Sequence, residues 1–199
     1  CLIVIFMNNQ LVRYGGDLSV GSYGIANAIS TIFMMFVIGV NQGMQPIAGY
    51  NYGSQQLDRL IKVLQLAILS ATIIMTTGWM IAMFLPYYCA RLFTTDPTLI
   101  EISIKAIRID MLFFPFVGSQ MVITNFFQCI RKVKVSIFLS LSRQLLFLLP
   151  LLYILPQFFG LDGVWYALPA SDITAAIVAN IIMFKYMGRL KKTDKNHQQ

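Results

Sequence analysis

Charge is what this chain has least of. Lys, Arg, Asp and Glu make up 12% of its 199 residues, about half the share found in ordinary soluble domains. The chain is also 57% hydrophobic, with a mean hydropathy of +0.69. That combination excludes a conventional soluble domain, which needs a charged face to meet water, and predicts a polytopic membrane protein. From residue 18 to residue 57 no charged side chain occurs in 40 consecutive positions. About 20 apolar residues cross a hydrocarbon core roughly 30 Å thick, so this run holds one full span.

Reactive groups are scarce too. The single histidine, His197, lies in the polar tail. No GxxxxGK[ST] phosphate loop and no HExxH metal motif is present, and Gly15-Gly16 and Gly49-x-x-x-Gly53 read as loop or helix-end glycines. An embedded enzyme would have to draw on Asp110 or Asp172 alone, a poor constellation. The reading is therefore not an enzyme, with no metal and no cofactor. Cys1, Cys89 and Cys129 are widely spaced and read as buried thiols rather than a disulfide framework or metal site. The net charge of +7 is spread in short basic patches between apolar runs. This suits membrane orientation better than a nucleic-acid groove.

The apolar runs predict an all-α integral membrane protein with six spans, over residues 1–12 (truncated), 20–49, 61–89, 103–130, 135–158 and 163–186. Residues 13–18, 51–60, 94–98, 131–134 and 159–163 are read as connectors, and 191–199 as a polar, disordered tail. The chain starts at Cys1 inside an apolar stretch, so it is expected to be the C-terminal portion of a longer protein. One set of alternate connectors holds Arg59, Lys62, Arg131, Lys132, Lys134, Lys185, Arg189, Lys191, Lys192 and Lys195. The other holds Arg13 and Arg91. This bias predicts a cytoplasmic C-terminus.

Charge inside a span costs about 2.5–3.5 kcal/mol per residue on insertion scales, so Asp110, Arg143 and Asp172 stand out. Arg143 lies roughly 12 Å in from the cytoplasmic side of its span at 1.5 Å per residue. Asp172 lies roughly 16 Å from that side on the antiparallel neighbour. The two are expected to pair, as a structural lock or as part of a coupling switch. Asp110 is expected either at the outer interface or in an outward cavity. Uncharged polar residues also recur within spans: Asn8, Asn9 and Gln10; Asn27, Asn41, Gln42 and Gln45; and Gln120, Thr124, Asn125 and Gln128. Gln120, Thr124 and Gln128 share one helix face, as helix glue or the wall of a watery cavity. Pro46, Pro115, Pro150 and Pro169 predict kinks.

Gly43-Met-Gln-Pro-Ile-Ala-Gly-Tyr-Asn-Tyr-Gly53, preceded by Tyr14-Gly-Gly-Asp-Leu and Tyr23-Gly-Ile, resembles the multidrug and toxic compound extrusion (MATE) family. Ser142-Arg-Gln144 with Pro150, Phe159-Gly-Leu-Asp-Gly-Val-Trp165 and Pro169-Ala-Ser-Asp172 resemble the last two helices of its bacterial branch. The resemblance implies the C-terminal six-helix lobe of a twelve-helix antiporter in the bacterial cytoplasmic membrane. Such a protein exports organic cations or other amphiphiles against protons or sodium ions by alternating access between two lobes. Its partners would be the small-molecule substrate, the bilayer and the N-terminal lobe of the same chain. Within that picture Asn9, Gln42, Gln45, Gln120 and Asn125 are candidate cavity contacts, with Phe113, Phe116 and Phe127 as candidate aromatic contacts. Some family members carry an acidic residue in the middle of helix ten; the matching position here is near Gln120, which does not ionise. A lipid-linked saccharide flippase of related architecture is an alternative that would want a more cationic cavity. A non-transporting membrane scaffold is another, and there the polar stripes would serve stability alone.

Overall fold

A computed structural model describes the backbone of Leu2–His197 and the side chains of residues 4–188. The described residues fold as helices joined by short connectors: α1 (Leu2–Gly53), α2 (Leu57–Phe84), α3 (Pro86–Arg91), α4 (Pro97–Asp110), α5 (Phe114–Cys129), α6 (Val133–Leu141), a π-helical segment (Ser142–Leu148) and α7 (Leu149–His197). Two of these are each two helices joined through one residue. α1 breaks at Gly16, where φ is 70°, and α7 at Gly160, where φ is 59°. Both angles lie in the region that glycine reaches without steric cost, so one residue redirects the chain and almost no connector is needed.

Several predicted boundaries change. The expected loop at 51–60 shrinks to Ser54, Gln55 and Gln56, with Gln55 at φ 58°. The span expected over 61–89 breaks at Leu85, because Pro86 has no N–H to continue α2 and instead starts α3. The span expected over 103–130 is bent by 52° between α4 and α5, with Pro115 in the first turn of α5. The stretch expected to be plain helix from 135 to 158 contains the π turn, which comes just before Pro150. A proline ring crowds the carbonyl four residues earlier, and widening the preceding turn relieves that crowding. The tail expected to be disordered continues α7 to His197, while residues 198–199 lie outside the described residues.

Among the described residues three helical stretches are long and apolar enough to cross a membrane, and the bent α4–α5 pair, taken as one span, makes a fourth. The packing is arranged for lipid. On α2 the buried residues are Leu60, Leu64, Ala67, Ala71, Met75, Gly78 and Ala82, recurring every three or four positions along one face. The opposite face exposes Leu66, Leu69, Ile73 and Phe84. Ala67, Ala71, Gly78 and Ala82 put small residues on the buried face, which is how helices approach closely where lipid provides no hydrophobic drive. At Gly118 of α5 a Cβ would stand 2.9 Å from the Ala71 carbonyl oxygen and 3.0 Å from Met75 Cγ. α2 and α5 therefore touch backbone to backbone.

Candidate functional site

Two polar bonds set the register of the site. Ser30 Oγ donates to Asp110 Oδ2 at 2.7 Å, and Gln45 Nε2 donates to Asn125 Oδ1 at 3.3 Å. Both join residues 80 apart in sequence. The second limb of α1 and the α4–α5 unit therefore run parallel and in step, and the bend at 111–113 leaves the offset intact. Phe33 packs edge-on against Phe114 between them, with ring centroids 6.3 Å apart. Asp110 thus faces a neighbouring helix within the bundle, held by a hydroxyl whose own residue is buried. A hydrogen bond to a charged group contributes about 1.5–3 kcal/mol. Ser30→Ala is expected to lower stability by about that amount, read as a lower melting temperature of the full-length protein; an unchanged melting temperature would show the bond to be slack.

Toward the far end of these helices lies a cavity of ≈ 400 Å³. Three helical stripes of four-residue spacing meet there: Asn41 and Gln45 of α1; Gln120, Thr124 and Gln128 of α5; and Ser136, Ser140 and Gln144 of α6 and the π segment. Gln42, Asn125 and Arg143 complete the polar wall. Among the described residues the lining includes seven side-chain amides, one cation and no carboxylate.

Four of the five residues predicted to contact substrate, Gln42, Gln45, Gln120 and Asn125, lie on this wall. Asn9 does not. On its helix Met7 and Leu11 are buried and Asn9 is exposed. Two residues turn a helix by about 200°, so Asn9 lies on the side away from that core. The aromatic candidates are also placed elsewhere. Phe127 is 1% exposed and packs on Tyr186 at 5.4 Å between centroids, so it belongs to the core. Phe113 and Phe116 do not line the cavity. Sequence reasoning missed Ser136, Ser140 and Gln144, although their spacing repeats the pattern it had used on α5.

Arg143 connects the cavity to the interior. Its Nε donates to Asp172 Oδ1 at 2.7 Å. The pairing requires the second limb of α7 to return alongside the π segment, as the Gly160 turn allows. Asp172 is the more buried partner, with 14% side-chain exposure against 28% for Arg143. Asp172 does not line the cavity. A second ion pair, Lys105 Nζ to Asp162 Oδ1 at 2.5 Å, ties α4 to α7 with both side chains largely exposed, where such pairs contribute little.

Asn41 and Gln120 are both buried, and among the described residues their side-chain oxygens accept no hydrogen bond. An unmet buried acceptor costs about 1–3 kcal/mol. Gln120→Met removes that penalty at nearly constant volume. It is expected to raise stability by about 1 kcal/mol; a variant that loses stability instead would show that the amide is satisfied in the intact protein.

The comparisons with known proteins agree with this architecture. A model of the family described as MatE matches residues 2–154. The chain is 25% identical over 182 residues to the multidrug export protein MepA of Staphylococcus aureus (strain bovine RF122 / ET3-1), covering 92% of this chain and 40% of that protein. Among solved structures, the MATE multidrug transporter DinF-BH is 38% identical with a TM-score of 0.77, over 88% of this chain and 39% of that one. The inward-facing conformation of a multidrug resistance MATE family transporter shares the fold at a TM-score of 0.89 and 24% identity, over 96% of this chain and 45% of that one. The chain thus spans about 40% of the length of the curated relative it matches. With the helical path, the polar cavity and a family match over most of its residues, the chain belongs to the MatE family of membrane proteins.

Proposed function

We propose that this chain is the C-terminal lobe of a secondary active exporter. It would move organic cations or other amphiphiles out of the cell in exchange for protons or sodium ions, by alternating access against an N-terminal lobe. The observation that carries this reading is the ≈ 400 Å³ amide-lined cavity opening from an otherwise apolar helix bundle. Polar residues are expensive in a membrane unless they meet each other, water or a ligand, and this wall concentrates them in one place. The stripes on α1, α5 and α6 give a substrate many weak, reorientable hydrogen-bonding partners, which suits breadth rather than a single shape. The connector charges orient the lobe with its C-terminus in the cytoplasm, in the bacterial cytoplasmic membrane.

The test is dye efflux from cells making the full-length protein. Efflux that collapses with a protonophore points to proton coupling; efflux that survives it and follows the sodium gradient points to sodium. Absence of efflux for every amphiphilic dye, from protein shown to be in the membrane, would overturn the exporter reading.

A further inference from the structure

The charge on the cavity wall is more specific than the cavity itself. Arg143 is its one charged lining residue among those described. The Arg143–Asp172 pair is neutral as a whole, but it is oriented. Arg143 belongs to the wall, whereas Asp172 is off the wall and more deeply buried. A ligand in the cavity therefore meets the positive end of the pair. Only Nε is committed, to Asp172; among the described residues the two Nη groups make no hydrogen bond. Guanidinium presents its donors as a planar fork that matches a carboxylate bidentately. A fork held through Nε is fixed in direction before any ligand arrives, which reduces the ordering cost of binding. No carboxylate on this wall offsets the arginine for a ligand cation, so a purely cationic group is disfavoured beside it. The surrounding amides are neutral and serve either donors or acceptors.

We propose that Arg143 determines the substrate class on this side of the cavity, binding a carboxylate carried by an amphiphilic substrate through the two Nη groups that Asp172 leaves open. This rests on the exporter reading, since it assigns one group of the substrate to one residue of the proposed cavity. It predicts that zwitterionic amphiphiles are preferred over cations of the same shape.

The test uses the purified full-length protein and two dyes that differ only at one group: rhodamine B, with a free carboxylate, and its ethyl ester, without one. Binding is followed by fluorescence anisotropy at neutral pH. Wild-type protein is expected to bind the free acid about tenfold more tightly than the ester, the order of discrimination a charge-assisted bidentate contact supports. Removing Arg143 alone would leave Asp172 buried without a cation, so the decisive variant is Arg143→Gln/Asp172→Asn, which keeps two hydrogen-bonding side chains in place of the ion pair. In that variant the affinity ratio is expected to fall to about one. Arg143→Lys, which keeps the charge but not the fork, is expected to fall between. A ratio near one in the wild type, or one unchanged in the double variant, overturns the proposal while leaving the exporter reading standing. If the wild type binds neither dye, Arg143 does not select between them and the proposal falls, while the exporter reading is decided by the efflux test.

Discussion

Arg143→Ala and Asp172→Ala each destabilise the protein strongly, and the double variant recovers much of the loss. This is the expected result of a thermal-unfolding comparison on the full-length protein. Each single change leaves the other charge inside a helix bundle without its hydrogen-bonded partner, and breaking a buried pair from one side costs about 3–5 kcal/mol. Removing both charges leaves a small cavity and no orphan, so the double variant should lie closer to the wild type than to either single variant. The geometry makes the coupling specific: one Nε–Oδ1 contact at 2.7 Å, with both groups partly buried. A double variant no more stable than the weaker single variant would mean that each residue has a separate role and that the pairing contributes nothing.

That pair was legible in the sequence because depth can be counted. Arg143 enters its span from one side and Asp172 its own span from the other, and a rise of about 1.5 Å per residue puts them at similar depth. The α5 stripe was legible for a similar reason, since Gln120, Thr124 and Gln128 repeat at helical spacing and a polar repeat in an apolar span has few explanations. What was not legible depends on single residues and on rotation about an axis. The break at Gly16 needs one positive φ, and a glycine in a sequence does not announce its conformation. The π turn over Ser142–Leu148 shifts the residues that follow it relative to an ideal helix, and no composition marks it. Asn9 looked like its polar neighbours, but which side of the first helix meets the core is set by Met7 and Leu11, which only the packed structure reveals. The constant offset of 80 residues between α1 and α4–α5 is likewise a property of two helices together.

Gly163→Leu is expected to prevent the second hairpin from closing and to leave little folded protein. A Cβ at Gly163 would collide with the carbonyl carbon and oxygen of Leu155 and stand 2.8 Å from the backbone nitrogen of Pro156. These are main-chain atoms on the limb before the Gly160 turn. They cannot rotate away as a side chain does, so relief requires separating the limbs. Separation would pull Asp172 from Arg143 and move the π segment that carries part of the cavity wall. Overpacking a core by methylenes costs about 1–3 kcal/mol even where side chains can yield; against backbone, even Gly163→Ala is expected to exceed about 3 kcal/mol. Gly24 supplies the contrast, because a Cβ there meets nothing within 4 Å. Gly24→Ala is expected to stabilise by about 0.5–1 kcal/mol through helix propensity. Measuring the monodisperse fraction after heating decides between them: opposite signs for one added methyl group place the constraint at the hairpin crossing, whereas equal effects would mean that the close approach of residue 163 to Leu155 does not govern how this lobe folds.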